Sequence, residues 1–271
     1  MVSTFALLPL LAASVFALPS QLIIGGSPAS PRQFPFYVLL VGPDKNTGKQ
    51  MLCGGSLLTQ SHVLTSAACA TWLNLKRTVA YMGITDLNKP DFKNMKTSMI
   101  ADFKTPSTEF KRDQDIAVLT LTKKAVLNAY INTTVILDND NDIFRSYKHG
   151  TILGFGTTRY VKSEAQGNSK QLKFTDVDFV DPSYCQTVHP DINHRRQYCA
   201  GNDGKGAGVG DEGSPMILQV SGVTVQFGIQ SDGNPTVQKN MLPDTYIRPS
   251  AFCRFLAAAT NQEFKCSDLG I

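Results

Sequence analysis

The sequence predicts an all-β protein made of many short strands, and two observations carry that prediction. The 21 glycines and 14 prolines are scattered along the 271 residues, a pattern that is typical of frequent turns. Apolar runs such as Met51–Leu58 and His62–Cys69 are short and strand-like, whereas helical periodicity is rare. After a short leader, the remaining chain is long enough for one large all-β domain or two small ones.

Residues 1–17 are predicted to be a secretory signal peptide. An apolar run from Phe5 to Ala17 ends in Val15-Phe16-Ala17, a small-residue cleavage pattern. A buried first strand is the alternative reading of this run, but nothing before Phe5 could pair with it. No later stretch is long and apolar enough to span a membrane. The sequence therefore predicts a secreted, extracellular protein.

The composition argues against a nucleic-acid partner and against a bound cofactor. The net charge of +4 is a mild excess without a dense block of Lys and Arg, so it indicates a solvated surface. A formal G-x-G-x-x-G pattern occurs at Gly208, Gly210 and Gly213. A dinucleotide site would need a helix after this pattern, whereas Pro215 and a β-rich run follow it. We therefore expect neither nucleic acid nor a cofactor.

Residues 210–215 read Gly-Asp-Glu-Gly-Ser-Pro, which resembles the Gly-Asp-Ser-Gly-Gly-Pro signature of chymotrypsin-like serine proteases. Further segments resemble the same family in the same order: Ile23-Ile24-Gly25-Gly26, Thr65-Ser66-Ala67-Ala68-Cys69 and Asp115-Ile116-Ala117-Val118. The resemblance implies two six-stranded antiparallel β-barrels, a site in the crevice between them and a C-terminal α-helix.

The resemblance also implies the domain boundaries. A pro-segment at 18–22 precedes the first barrel at 23–136, a linker at 137–148 and the second barrel at 149–249. A helix and a disulfide-stapled tail occupy 250–271. In that tail Ser250 is expected to be the N-cap, and Phe252, Phe255, Leu256 and Ala259 give one apolar helix face.

Two of the three residues that catalyse in this family are replaced. Glu212 stands in the position of the nucleophilic serine and Ala68 in that of the histidine, while Asp115 keeps the position of the acid. A carboxylate is a poor nucleophile toward an amide, and a methyl group cannot accept a proton. Asp115 is therefore expected to be a buried carboxylate without its main partner, although Ser231 can still donate to it. Gly210 and Glu212 hold the oxyanion-hole positions, and we expect the backbone N–H groups there to hold the Glu212 carboxylate.

None of the four histidines is expected to replace the missing base. His62 lies six residues before Ala68 in a structural position of the same run. The other three fall in predicted loops or at strand ends, as expected for surface histidines: His149, His189 and His194.

The substrate pocket implied by the resemblance is also altered. Gly206 replaces the aspartate with which trypsin-like members select Lys or Arg, and Gly208 replaces a cysteine. Ser231-Asp232-Gly233 resembles the Ser-Trp-Gly wall of the family, with Asp232 in place of the aromatic residue. Peptide recognition by the ordinary route is therefore not expected.

The family is activated by a cut that frees an isoleucine amino group, which here would be that of Ile23. This ammonium would pair with Asp211 in the protein interior. Leu22 stands where family members usually carry Arg or Lys. Either another protease cuts after Leu22, or residues 18–22 stay attached and the pair of Ile23 and Asp211 does not form.

Six cysteines allow 15 pairings. The resemblance selects Cys53–Cys69 and Cys185–Cys199, which leaves Cys253–Cys266 without support from a family pattern. His189 and His194 lie between Cys185 and Cys199, but in a secreted chain this spacing favours a disulfide over zinc, so no metal is expected. Asn132-Thr133-Thr134 is an N-glycosylation sequon.

These observations predict a secreted, monomeric protease homologue that does not cleave and that binds an unknown protein or surface partner. Two alternatives keep an enzyme. Asp115 and Glu212 could form an acid pair of the kind that hydrolyses glycosides, although Trp72, the only tryptophan, is expected to lie outside the site. A serine-type endopeptidase with an unforeseen nucleophile is the other.

Overall fold

The computed structural model describes residues 26–157, 160–161, 164–165, 167–201, 205–232 and 242–268. The predicted signal peptide, the pro-segment and Ile23 lie outside these residues. The strands are β1 Ser27–Pro28, β2 Tyr37–Pro43, β3 Gln50–Thr59, β4 His62–Thr65, β5 Val79–Met82, β6 Lys96–Lys104, β7 Ala117–Leu121, β8 His149–Gly154, β9 Tyr160–Val161, β10 Glu164–Ala165, β11 Lys173–Asp178, β12 Gln197–Ala200, β13 Pro215–Val220, β14 Val223–Asp232 and β15 Asp244–Ile247.

Short helices connect these strands. The α-helices are α1 Ala67–Trp72, α2 Ile143–Ser146, α3 Pro182–Val188 and α4 Cys253–Ala259, and 3-10 turns occupy Leu75–Arg77, Arg112–Gln114 and Pro249–Phe252. Helix α2 lies within the predicted linker. Among the described residues, no helix is both long enough and apolar enough to cross a bilayer.

The first half is a closed six-stranded barrel in the order β2-β3-β4-β7-β6-β5. All of its strand pairs are antiparallel, and inward-facing apolar residues such as Val38, Leu40, Val63 and Leu119 are fully buried. The burial of these side chains on one face of each strand sets the strand register. The first predicted barrel is therefore confirmed.

The second half is a curled sheet of seven antiparallel strands in the order β1-β11-β8-β13-β14-β15-β12. The sheet curls so far that Phe179, which directly follows β11, forms an isolated bridge with Ala200 of the outer strand β12. The sheet has one strand more than expected because Ser27–Pro28 adds to its edge. Aromatic residues fill its centre, where Tyr198 stacks on Phe227 with ring centroids 5.5 Å apart.

Each end of the described chain packs on the opposite half. Strand β1 precedes the first barrel but pairs with β11 of the second sheet. Helix α4 follows the second sheet but buries Leu256 in a cluster that contains Leu64 and Ile116 of the first barrel. The Lys104 ammonium of the first barrel also donates to the carbonyl of Ala259 at 3.1 Å.

The C-terminal helix begins later than predicted. Ser250 lies inside the 3-10 turn Pro249–Phe252, and the α-helix starts at Cys253 without a side-chain cap. The expected N-cap at Ser250 is therefore wrong. Pro249 accounts for the difference, because its fixed φ and missing N–H suit the first position of a helical turn.

Three disulfides join Cys53 to Cys69, Cys185 to Cys199 and Cys253 to Cys266. These are the three pairs expected from the sequence, including the one that no family pattern supported. Each closes a loop of 13 to 16 residues. In the chain-entropy model a loop of that length stabilises the fold by about 3 kcal/mol.

Candidate functional site

The Glu212 side chain folds back onto its own turn. Gly210, with φ +99°, donates its backbone N–H to Oε2 of Glu212 at 2.8 Å. The expected contact between this N–H and the carboxylate is therefore present. The Glu212 carbonyl accepts the N–H of Gly54 from the first barrel at 2.8 Å, which fixes the turn between the two halves.

Ala68 and Asp115 are held together at the other side of the crevice. Helix α1 begins at the Ser66 cap, whose side chain accepts the Cys69 N–H, and places Ala68 with 2% of its surface exposed. The Ala68 N–H donates to Oδ1 of Asp115 at 2.8 Å. Ser231 donates its hydroxyl to Oδ2 of Asp115 at 2.7 Å. Asp115 thus lacks the histidine that is its main partner in the family, as expected, but the Ala68 N–H and the expected Ser231 hydroxyl each donate to one of its oxygens.

A cleft of about 330 Å³ opens over this pair. It is lined by Ala68, Trp72, Phe110, Arg112, Asp115, Val188, His189, Pro190, Asp191, Ile192, Gln197, Ser231 and Thr245. Trp72 was expected outside the site, and this was wrong, because helix α1 carries it from Ala68 to the cleft wall with 45% of its surface exposed. Glu212 is not among the lining residues, so the two carboxylates do not share this cleft.

Two of the histidines are engaged away from Glu212. His62 is 4% exposed, with Nδ1 2.8 Å from the Thr59 hydroxyl, and burial lowers its pKa. His189 lies in the cleft wall and not simply on the surface, and its Nε2 is 2.9 Å from the carbonyl of Pro243. The structure therefore gives neither ring the role of the missing base.

Asp211 lies in the protein interior next to the Glu212 turn. Its carboxylate oxygens accept the N–H of Gly156 at 2.6 Å and of Gly208 at 2.9 Å. Burial raises the pKa of Asp211 to about 7, the nearby Glu212 charge adds to this rise, and the two N–H donors oppose it. Its predicted partner, the amino group of Ile23, lies outside the described residues.

Comparison with known proteins identifies the family. A family model described as Trypsin matches residues 23–256. The chain belongs to the trypsin family of serine proteases. Coagulation factor IX of Oryctolagus cuniculus is 31% identical to it over 215 residues, which cover 78% of this chain and 75% of that relative. Coagulation factor IX of Cavia porcellus is 27% identical over 222 residues, which cover 80% and 74%.

This trypsin-family chain carries a buried acid beside Gly206 that the sequence analysis missed. Asp244, only 4% exposed, accepts the Ala207 N–H at 3.0 Å. A Cβ built on Gly206 would lie 3.4 Å from Oδ2 of Asp244. A carboxylate from β15 therefore lies next to the position from which the aspartate of trypsin-like members is absent. The side chain of Asp232 and all of Gly233 lie outside the described residues.

Close packing against Thr157 explains why residue 208 of this trypsin-family member is a glycine. A Cβ there would collide with the backbone carbonyl of Thr157. Within the described part of the chain, no three His, Cys, Asp or Glu side chains are grouped so that they could hold a metal ion.

Proposed function

We propose that this member of the trypsin family is a secreted monomer that does not hydrolyse peptide bonds and acts by binding a protein or surface partner, as a regulator, decoy or scaffold. The observation that carries the proposal is the pair of replacements at the catalytic positions. Ala68 stands in the place of the base and Glu212 in the place of the nucleophile.

The geometry around these two residues supports the loss of catalysis. The Glu212 carboxylate has no proton to give and attacks an amide poorly, and Ala68 has no atom that could take a proton. The Gly210 N–H donates to Glu212, so a substrate carbonyl would have to displace this carboxylate to reach that donor. In serine proteases the loss of a triad member leaves only about 10³–10⁴-fold acceleration over water, which is negligible for an amide.

Secretion is supported by the leader-like sequence and by the three disulfides, because disulfides persist in oxidising compartments. Asn132 is exposed, so its sequon is accessible to a glycan. A mobility shift of the secreted protein after treatment with peptide N-glycosidase would show that Asn132 is glycosylated, and Asn132→Gln should abolish that shift.

The purified secreted protein is expected to show no stoichiometric labelling by a fluorophosphonate probe and no turnover of a peptide library. A trypsin preparation at the same concentration serves as the positive control. Enzyme-like turnover with contaminants excluded would contradict the proposal. A glycoside panel tests the acid-pair alternative. Trp72 in the cleft wall favours it, whereas the absence of Glu212 from the residues that line the cleft opposes it. Rates that do not depend on pH would eliminate that alternative.

The double variant Ala68→His with Glu212→Ser is expected to regain little peptidase activity. Both catalytic groups would be present, but Gly206 and the Asp232 substitution leave the pocket unlike that of trypsin. The kcat/KM for peptide substrates measures this, and we expect it to stay orders of magnitude below that of trypsin. Efficient cleavage by the double variant would show that the pocket does not limit activity.

A further inference from the structure

A small cavity of about 10 Å³ lies beside the Glu212 turn. Half of the residues that line it are apolar, and the polar ones are Asp211, Ser214, Gln230 and Tyr246. A cavity of this volume is about as large as one water molecule requires. We propose that it holds one water molecule, which bonds Asp211 to Gln230 and Tyr246 and thereby keeps this turn in place in the uncut chain.

Three buried polar atoms of the cavity wall have no hydrogen-bond partner among the described residues: Nε2 and Oε1 of Gln230 and the hydroxyl oxygen of Tyr246. Gln230 is 2% exposed and Tyr246 is 1% exposed, so bulk solvent does not reach these atoms. A buried polar group without a partner costs free energy, and such groups are rare in folded proteins. A water molecule inside the cavity is therefore the available partner for both side chains.

The carboxyl group of Asp211 has room for a further partner. Its oxygens accept the N–H groups of Gly156 and Gly208, whereas a carboxylate offers about four acceptor sites. A Cβ built on Gly154 would touch Oδ1 of Asp211 and lie 3.2 Å from the Ser214 hydroxyl oxygen, so one water molecule can bond both oxygens. The family signature has glycine at the position of Ser214, so this chain adds a polar group beside the cavity.

Water fits this set of groups better than a cation does. The amide group of Gln230 presents donors as well as an acceptor. Burial raises the pKa of Tyr246 well above its usual value, so its hydroxyl keeps a proton that it can donate. Water accepts from such donors and donates to the oxygens. A metal ion would instead face the amide and hydroxyl protons, and Ca²⁺ or Mg²⁺ needs about six oxygen ligands.

The water molecule joins the Glu212 turn to two strands of the second sheet. Asp211 lies in the turn, Gln230 in β14 and Tyr246 in β15. The backbone makes a tie between the same parts, because the Gln230 N–H donates to the Ser214 carbonyl at 2.9 Å. None of these contacts uses an amino group that a cut would free. The turn can therefore form in the uncut chain.

The thermal stability of two variants tests whether the cavity holds water. Tyr246→Phe and Gln230→Leu each remove polar atoms that have no protein partner among the described residues. If a water molecule bonds these atoms, both variants lose hydrogen bonds, and we expect the Tm of each to fall by about 3 °C or more. If the cavity is dry, the loss of unpaired polar atoms should leave the Tm unchanged or raise it, and this result would overturn the proposal.

Two control variants calibrate these shifts. Gln226 is fully buried, accepts the Ser56 hydroxyl at 2.6 Å and donates to the Gly228 carbonyl at 3.1 Å. Gln226→Leu should therefore lower the Tm, and Gln230→Leu should resemble it if water bonds the Gln230 amide. Tyr184→Phe changes an exposed tyrosine and should leave the Tm unchanged.

A high-resolution crystal structure of the uncut protein checks the water molecule directly, after mass spectrometry has confirmed that the chain is uncut. We expect the Glu212 turn to be ordered, with the Gly54 N–H bonded to the Glu212 carbonyl as it is here. We also expect one density peak within about 3.2 Å of polar atoms of Asp211, Gln230 and Tyr246.

Several results would overturn the proposal. These are a dry cavity, a disordered Glu212 turn in the uncut protein, and an Asp211 side chain that points away from the cavity. A Tm that falls when choline chloride replaces sodium chloride would overturn it in favour of a bound cation. None of these measurements records peptide cleavage or partner binding, so failure here is distinct from failure of the proposed function.

Discussion

In the uncut protein, we expect the free energy of unfolding to fall as the pH rises from about 4 to 7, and we expect cleavage after Leu22 to abolish this fall. In the uncut chain, burial raises the pKa of Asp211 to about 7. Between these pH values the folded protein binds more protons than the unfolded chain, so the free energy of unfolding falls as the pH rises. The difference from an exposed carboxyl corresponds to roughly 4 kcal/mol. An Ile23 ammonium beside Asp211 would favour its charged form and cancel this loss.

Urea unfolding at pH 5 and pH 7.5 checks this prediction. Leu22→Arg would allow trypsin to make the cut, and uncut and cut forms of that variant can be compared directly. The uncut form should be more stable at pH 5, and the cut form should gain most at pH 7.5. In Asp211→Asn the cut should bring no gain, whereas the exposed control Asp142→Asn should behave like the parent. An equal gain in Asp211→Asn would refute the pairing of Ile23 with Asp211.

Gly213→Ala is expected to destabilise the protein by about 3 kcal/mol or more, because it combines backbone strain with a clash in a packed region. Gly213 has φ +80°, which favours glycine. An added Cβ would lie 2.6 Å from the Gly54 carbonyl oxygen, 3.0 Å from the Ser66 nitrogen, and against the Thr65 hydroxyl. These atoms belong to the first barrel, so the substitution would separate the Glu212 turn from it.

Gly222→Ala is the matched control for this second prediction. Gly222 has φ +81°, and no heavy atom lies within 4 Å of a Cβ built on it. It should therefore show the backbone strain alone, about 1 kcal/mol. Urea midpoints of both variants measure the difference. Similar losses for the two would show that the first barrel yields to the Gly213 methyl group.

The sequence predicted well what short motifs determine. The all-β fold and the hydrogen bond from Ser231 to Asp115 follow from short segments that resemble those of a known family. In that family the same segments come together in space, so the resemblance also predicts their contacts. Trp72 was misplaced because a short helix turns it from Ala68 toward the cleft, and no residue pattern shows that direction. Asp244 was missed because its proximity to Gly206 arises from two chain segments far apart in sequence.

The anchoring of the loop between β5 and β6 could not be predicted for a similar reason. The backbone N–H of Leu87 donates to the Lys170 carbonyl, and the side-chain amide of Gln171 donates to Asp86. These partners lie far apart in sequence, so no local pattern shows them. The exposure of Phe92 is likewise a property of the folded chain.

The crossed ends of the chain make the two halves depend on each other. Strand β1 leaves the first barrel to join the second sheet, and helix α4 leaves the second sheet to cover Leu64 and Ile116. Neither half would keep its full buried surface if it were produced alone, since each would lose a segment that the other supplies. The crevice between the halves is thus held in place by both exchanged segments, β1 from one side and helix α4 from the other.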